Sequence, residues 1–315
     1  MGTDVDELVE RVIAGDRRAM ARAISLVEDG APELEALSAG IYGHTGTAAT
    51  VGLTGSPGVG KSSLTEQLVR AARSKDRTVA VLAIDPTSPF TGGALLGDRL
   101  RMQTHATDPG VFIRSMATRG HLGGMALAAP EAIRILDAAG TDFVIVETVG
   151  VGQAEVEVAG ATDTTLVVVA PGWGDAVQVA KAGILEIADV FVVNKADLDG
   201  AGEAARDLEL MLKMGASREA EWVPPVVKTS AATGQGVDDL WSAVEDHRRH
   251  LESTGALERS RRARLLAEVE TLAAQRVRER IRVALLADEG LAGRIAAREV
   301  DPYRAASMLL AGLGA

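Results

Sequence analysis

Eight consecutive residues, Gly55-Ser56-Pro57-Gly58-Val59-Gly60-Lys61-Ser62, fit the spacing G-x-x-x-x-G-K-[ST]. Their types suit a phosphate cradle. Glycines let backbone N–H groups turn inward around phosphate oxygens, the lysine brings a cation to the β- and γ-phosphates, and the serine hydroxyl can ligate Mg²⁺. A helix that starts at Lys61 adds its positive dipole end and the amides of its first turn, to which Ser63 belongs. The competing account is a glycine-rich strand–helix turn that carries Lys-Ser by chance. It must explain why strand, loop and helix all stand in register.

A second group, Asn194-Lys195-Ala196-Asp197, follows a run of valine and phenylalanine. A carboxylate at Asp197 can accept from the N1–H and the N2 amine of guanine, a donor pair that adenine lacks. A mismatched base would leave that charge without its partners, and such mismatches discriminate strongly. Asn194 and Lys195 are placed to brace the loop. Further on, Thr229-Ser230-Ala231 offers a backbone N–H for guanine O6. The four-residue pattern alone is weak, because Asn and Asp are common turn formers. After a phosphate loop, in sheet order, it points to GTP and GDP rather than adenine nucleotides.

Three carboxylates stand at or near strand ends. Glu147 opens Glu147-Thr148-Val149-Gly150, Asp85 closes a strand in Ile84-Asp85-Pro86, and Asp98 follows in Gly97-Asp98-Arg99. Oxygen ligands of this kind suit Mg²⁺, and the carboxyl ends of parallel strands open on the ligand crevice. Together with Ser62 they are the candidate metal ligands. Asp85 also reads as a turn aspartate before proline, and Asp98 as a helix N-cap. Lys61, Glu147 and Gly150 are the candidates for the reaction itself, Gly150 through an N–H directed at the γ-phosphate. Gln153 is a candidate for orienting the attacking water. Arg99, Arg114 and Arg119 fall in loops where an arginine could reach the phosphates, with nothing to choose between them.

The elements that would position these groups alternate from Thr50 onward. Apolar runs at Thr50–Thr54, Thr78–Ile84, Val111–Ser115, Asp142–Glu147, Thr165–Ala170, Val190–Asn194 and Val226–Thr229 read as strands buried on both faces. Helical patterns fit Lys61–Arg73, Gly124–Ala139, Ala176–Ile187, Ala201–Met214 and Val237–His250. The fold class is α/β: a doubly wound, mostly parallel sheet of the P-loop NTPase kind, with helical N- and C-terminal extensions. The expected divisions are 1–45 for the N-terminal helices, 46–255 for the nucleotide domain and 256–315 for the C-terminal helices. Leu265, Val269, Ala273, Val277, Ile281 and Leu285 form a stripe on one long helix. Periodicity alone leaves open whether that stripe packs on the core or meets a second copy.

Composition narrows the classes. The 315 residues carry a net charge of −11 and no cysteine. Disulfides, thiolate metal sites and a cysteine nucleophile are excluded, and an acidic chain is poorly suited to nucleic acid or anionic membranes. No apolar run approaches the ~20 residues of a membrane span. The acidic start MGTDVDELVERV lacks a signal-peptide core, so a cytoplasmic location is expected. His247 and His250, three apart, read as a surface pair near a helix end.

The stretch from Asp85 to Arg99, DPTSPFTGGALLGDR, together with Glu147-Thr148-Val149-Gly150-Val151-Gly152-Gln153, resembles the methylmalonyl-CoA mutase-associated GTPases, the MeaB/ArgK-like family. The resemblance spans the whole chain and includes both helical extensions. It implies a Mg²⁺-dependent GTPase, slow on its own, that forms homodimers with help from the C-terminal extension. It further implies a chaperone of adenosylcobalamin-dependent methylmalonyl-CoA mutase, governing cofactor loading, protection and reactivation. By position, residues 55–62 would hold the phosphates, Asp85, Asp98 and Glu147 the metal and switch region, and Asn194, Asp197, Ser230 and Ala231 the base. The segment from Gly172 through Trp173 to Lys181 would report nucleotide state, with Trp173 either a contact residue or packed. Two other readings compete: a nickel-insertion GTPase, for which the missing cysteines and five histidines are a poor supply, and a kinase serving amino-acid transport, for which no H-R-D or D-F-G element is found.

Overall fold

The computed structural model describes residues 5–85, 105, 107–117, 125–148, 153–172, 186–215 and 221–313. Seven strands form one sheet: β1 (Ala49–Thr54), β2 (Val79–Asp85), β3 (Val111–Ala117), β4 (Phe143–Thr148), β5 (Thr164–Val169), β6 (Val190–Val193) and β7 (Val226–Lys228). Their order is β3-β2-β4-β1-β5-β6-β7, and every neighbouring pair is parallel. The doubly wound α/β expectation therefore holds, and strand ends shift by a residue or two.

Every residue of β1, β4 and β5 is buried, as continuous apolar runs require when helices cover both faces. On one face, Val51, Leu53, Ile145 and Val168 pack with α4 (Lys61–Arg73) and with α8 (Val237–Ser253), the latter through Leu240 and Trp241. On the other face the sheet divides. Leu82, Ile84, Val144 and Val146 meet α1 (Val5–Ile13), α2 (Arg17–Asp29), α3 (Leu34–Ile41) and α5 (Met125–Ala138). Val167, Val169, Phe191 and Val193 meet α7 (Ala201–Gly215). Among the described residues, α6 (Gln153–Ala161) also packs on the sheet, through Val158. The N-terminal helices thus share the central core, with Leu8, Val12, Ile24, Leu37 and Ile41 all buried. The start of α2 is fixed by Asp16, whose carboxylate accepts from the Arg18 and Ala19 amides at 2.7 and 3.1 Å, a side-chain N-cap.

Two compact units result, Met1–Arg264 and Leu265–Ala315. Helix α9 (Ala256–Ala287) begins in the first and ends in the second. Its first turns are tied to the amino ends of β1 and β5. Arg261 donates to Asp163 Oδ2 at 2.5 Å, to the Gly46 carbonyl at 2.5 Å and to the Ala48 carbonyl at 2.7 Å. Arg264 donates to the same Asp163 and to the Thr162 carbonyl. In the second unit, α10 (Glu289–Ala296) and α11 (Pro302–Leu313) enclose a small cluster of Leu291, Val300 and Ala305. No residue of α9 is buried. Among the described residues, no helix is long and apolar enough to cross a membrane.

Two sequence expectations are corrected. Arg114 lies within β3, in line with the expected strand Val111–Ser115 and against its placing among the loop arginines, and its guanidinium donates to Ser25 and Glu28 of α2 at 2.9 and 2.5 Å. His247 is not a surface residue: it is 2% exposed, with Nδ1 2.9 Å from the Thr164 hydroxyl. The Trp222 ring packs on both His247 and His250, at centroid distances of 4.8 and 5.1 Å. The expected helix Ala176–Ile187 falls largely outside the described residues, as does Trp173.

Candidate functional site

The sheet order sets β1 between β4 and β5, so the loop after Thr54 opens beside Glu147. Residues 55–60 turn the chain from β1 into α4. Gly55 has φ 138°, and a side chain there would overlap the Val168 carbonyl oxygen. Gly60 has φ 95°, and a side chain there would overlap the Asn194 amide. Only glycine serves at either position. The first turn of α4 has no side-chain cap, so its amides are left to an anion. Lys61 is buried, and its ammonium donates to the Gly55 and Ser56 carbonyls at 2.5 and 3.2 Å.

Glu147 is 2% exposed at the carboxyl end of β4, opposite Leu53 in register. Ser62 donates to Glu147 Oε1 at 2.5 Å, and Thr65 donates to Oε2 at 3.0 Å. A hydroxyl and a carboxylate in contact form an oxygen-only set of the kind Mg²⁺ accepts, since that ion keeps several waters beside one or two carboxylates. The residues present fit that ion. Asp85 ends β2; its side chain lies outside the described residues, and so do Asp98 and Gly150. Gln153 begins α6, again with its side chain outside them.

The loop after β6 is bolted to the phosphate loop. Asn194, 1% exposed, donates through Nδ2 to the Val59 carbonyl at 2.8 Å. Its Oδ1 accepts from the Thr229 hydroxyl at 3.2 Å and the Ala231 amide at 3.1 Å. Lys195, held at φ 58°, donates to the Gly58 carbonyl at 2.7 Å. Gln67 on α4 donates to the Ala231 carbonyl at 2.8 Å. Asp197 is exposed, and the neighbouring Ser230 side chain holds its carboxyl below the ordinary value, the charged form a donor-rich base would need. Residues 55–63, 147, 194–197 and 230–231 therefore gather at one edge of the sheet. Sequence reading missed Thr65 and Gln67. The available signal was helical spacing: Thr65 follows Ser62 by three, on the same face of α4.

Comparison with known proteins bears on this geometry. The family model described as methylmalonyl Co-A mutase-associated GTPase MeaB matches residues 20–285. A Pyrococcus abyssi protein named as a GTPase is 49% identical over 310 residues, covering 97% of this chain and 96% of that protein. GTPase ArgK of Escherichia coli is 39% identical, covering 81% of this chain and 79% of its own. The Caenorhabditis elegans mitochondrial methylmalonic aciduria type A homolog is 36% identical, covering 82% and 69%. A crystal structure described as LAO/AO transport system kinase superposes with a TM-score of 0.72 at 27% identity, each chain covered in full. A glycine-rich loop bolted to the loop after β6 at one sheet edge, in a chain matched at this length, leads to one conclusion: the chain belongs to the MeaB family of methylmalonyl-CoA mutase-associated GTPases, and it hydrolyses GTP.

Proposed function

We propose that the chain is a Mg²⁺-dependent GTPase that serves as a chaperone of adenosylcobalamin-dependent methylmalonyl-CoA mutase, governing cofactor loading, protection and reactivation. The observation that carries this reading is the family match over residues 20–285. In this reading the amides of residues 55–63 and the Lys61 ammonium surround the phosphates and offset the charge that grows as the γ-phosphoryl group leaves. Asn194 and Lys195 fix the base loop, Asp197 accepts from guanine, and the Ala231 amide is shared between Asn194 and guanine O6. Ser62, Glu147 and Asp85 hold the metal, with Asp98. Gly150, in the run Glu147-Thr148-Val149-Gly150, directs its N–H at the γ-phosphate. Bound there, Mg²⁺ supplies positive charge to the β- and γ-phosphate oxygens.

The division into 1–45, 46–255 and 256–315 belongs to the same proposal, as does a homodimer formed through the C-terminal helices in the cytoplasm. Exposed apolar side chains on α9 support the dimer: Leu266, Val269, Val283 and Leu286 are each more than half exposed, a pattern typical of an interaction face. The test is GTP turnover by the purified protein, alone and with the mutase from the same source. Slow turnover that the mutase accelerates at least about tenfold supports the proposal. Equal turnover with and without the mutase, at protein concentrations that saturate any complex, removes the mutase as the client.

A further inference from the structure

We propose that Thr65 is a positioning residue for GTP hydrolysis: with Ser62 it grips both oxygens of the Glu147 carboxylate and fixes the plane in which that carboxylate faces the metal end of the site. The proposal rests on the reading of Ser62 and Glu147 as metal-holding groups. Thr65 is fully buried on α4, where a hydroxyl is costly unless hydrogen-bonded. A threonine inside a helix commonly bonds back to the carbonyl one turn earlier. Thr65 instead donates across 82 residues of sequence, to Glu147 Oε2 at 3.0 Å. Ser62, one helical turn before it, donates to Oε1 at 2.5 Å.

Two contacts are needed for a geometric reason. The last torsion of a glutamate, between an sp³ and an sp² carbon, is broad and weakly staggered. One hydrogen bond fixes one oxygen and leaves the carboxylate plane free to swing about it. A second bond on the other oxygen fixes the plane. Helical spacing supplies the two hydroxyls on one face, and the register of β4 against β1 brings Glu147 up to that face.

The experiment compares Thr65→Val, which keeps shape and β-branching but removes the hydroxyl, with Thr65→Ser, which restores it. Two quantities are read: the Mg²⁺ concentration giving half-maximal GTP hydrolysis, and the Mg²⁺ concentration that half-maximally slows release of a fluorescent GDP analogue. Removing an outer partner of a metal ligand commonly weakens metal affinity by ~10–100-fold. Thr65→Val should raise both midpoints by about that factor, leave binding of the GDP analogue in EDTA unchanged, and keep the melting temperature near wild type, while Thr65→Ser returns both midpoints to within about threefold. Wild-type midpoints in Thr65→Val overturn the proposal, as does weaker nucleotide binding in EDTA, which would make Thr65 a packing residue. Should Thr65→Val fail to fold, Thr65→Ala is read the same way, and failure of both assigns Thr65 to the core and overturns the proposal. Glu147→Gln separates the underlying reading: unchanged Mg²⁺ midpoints there remove Glu147 from the metal, whereas shifted midpoints with a silent Thr65→Val overturn only the role of Thr65.

Discussion

The two edges of the sheet use carboxylates in opposite ways. At the carboxyl edge, Glu147 is held by the hydroxyls of Ser62 and Thr65, and Asp197 is stabilised by Ser230. At the amino edge, aspartates cap backbone amides. Asp137 accepts from Gly46, Thr47 and Ala48 at 2.5, 3.2 and 2.9 Å. Asp142 accepts from the Thr78 amide at 2.8 Å, and Asp189 from the Thr165 amide at 2.7 Å. Asp163 accepts from Arg261 and Arg264. Parallel strands explain the division. Amides at strand starts need acceptors, whereas strand ends run into glycine turns and helix N-termini that already favour anions. A carboxylate next to a strand therefore caps backbone amides at one edge and stands beside a glycine turn and a helix N-terminus at the other.

Breaking the amino edge should give the largest change in stability and leave nucleotide chemistry alone. The Asp163 side chain is 7% exposed. Burial alone would raise its carboxyl, but the Arg261 hydrogen bond and the charges of Arg261 and Arg264 outweigh burial and hold it below the ordinary value. Asp163→Ala strands two guanidinium groups that are only about a quarter exposed. Removing one partner of a buried ion pair costs ~3–5 kcal/mol. Denaturant unfolding should show that loss, and GTP affinity of the folded fraction should be unchanged. A comparable loss of GTP affinity would show that the two edges are coupled.

Breaking the carboxyl edge should do the reverse. Lys61→Ala removes the ammonium donated to the Gly55 and Ser56 carbonyls. Deleting one charge-stabilising donor in a preorganised site lowers turnover by ~10²–10³-fold. Single-turnover GTP hydrolysis should fall by that factor while the melting temperature stays within a few degrees. Wild-type turnover would take Lys61 out of the reaction.

The same contrast explains what could be read from sequence. The phosphate loop, the strands and the base loop are local signals: residue types at fixed short spacing, or apolar runs of strand length. Residues 55–62 and 194–197 could be singled out on that basis, and the sheet could be inferred from runs such as Phe143–Glu147. The contacts that assemble the site and brace the amino edge are long-range. Asn194 reaches Val59 across 135 residues, and Asp163 meets Arg261 across 98; no spacing rule joins them. His247 misled for the same reason. Its place near a helix end suggested the surface, yet the helix turns that side chain onto Thr164 at the start of β5. On α9 the period of the apolar stripe identified a helix but could not state its partner, because a stripe meeting the core and one meeting another helix share the same period.

Asp163 and Asp189, at the starts of adjacent strands, sharpen the comparison within the amino edge. Burial pushes the Asp189 carboxyl up to about 6, with one backbone hydrogen bond from Thr165 and the charge of Arg264 too weak to offset it and Asp163 repelling it. Beside it, burial lowers His247 to about 4, aided by His250 and opposed by Asp163. The signs are opposite. Asp189 binds its proton more tightly when folded than when unfolded. Its contribution is therefore complete below the ordinary carboxyl value of 3.8 and is lost as pH climbs through about 6. His247 binds its proton less tightly when folded, so its contribution is complete above 6.5 and is lost as pH falls toward about 4. Fully enclosed, the ionised Asp189 would cost roughly 3 kcal/mol; its side chain is 31% exposed, and solvent screening reduces that to about 1–2 kcal/mol. Asp189→Asn keeps an acceptor for the Thr165 amide and removes the charge. His247 Nε2 lies 3.4 Å from Asp189 Oδ1, so unfolding free energies of Asp189→Asn and wild type are compared at matched pH, and the reading near pH 8 lies above the 6.5 at which the His247 contribution is complete. The variant should be more stable by about 1–2 kcal/mol near pH 8, with the advantage gone near pH 4. A difference that does not change with pH would show that Asp189 does not titrate in this range and that, like Asp163, it stays ionised as a cap.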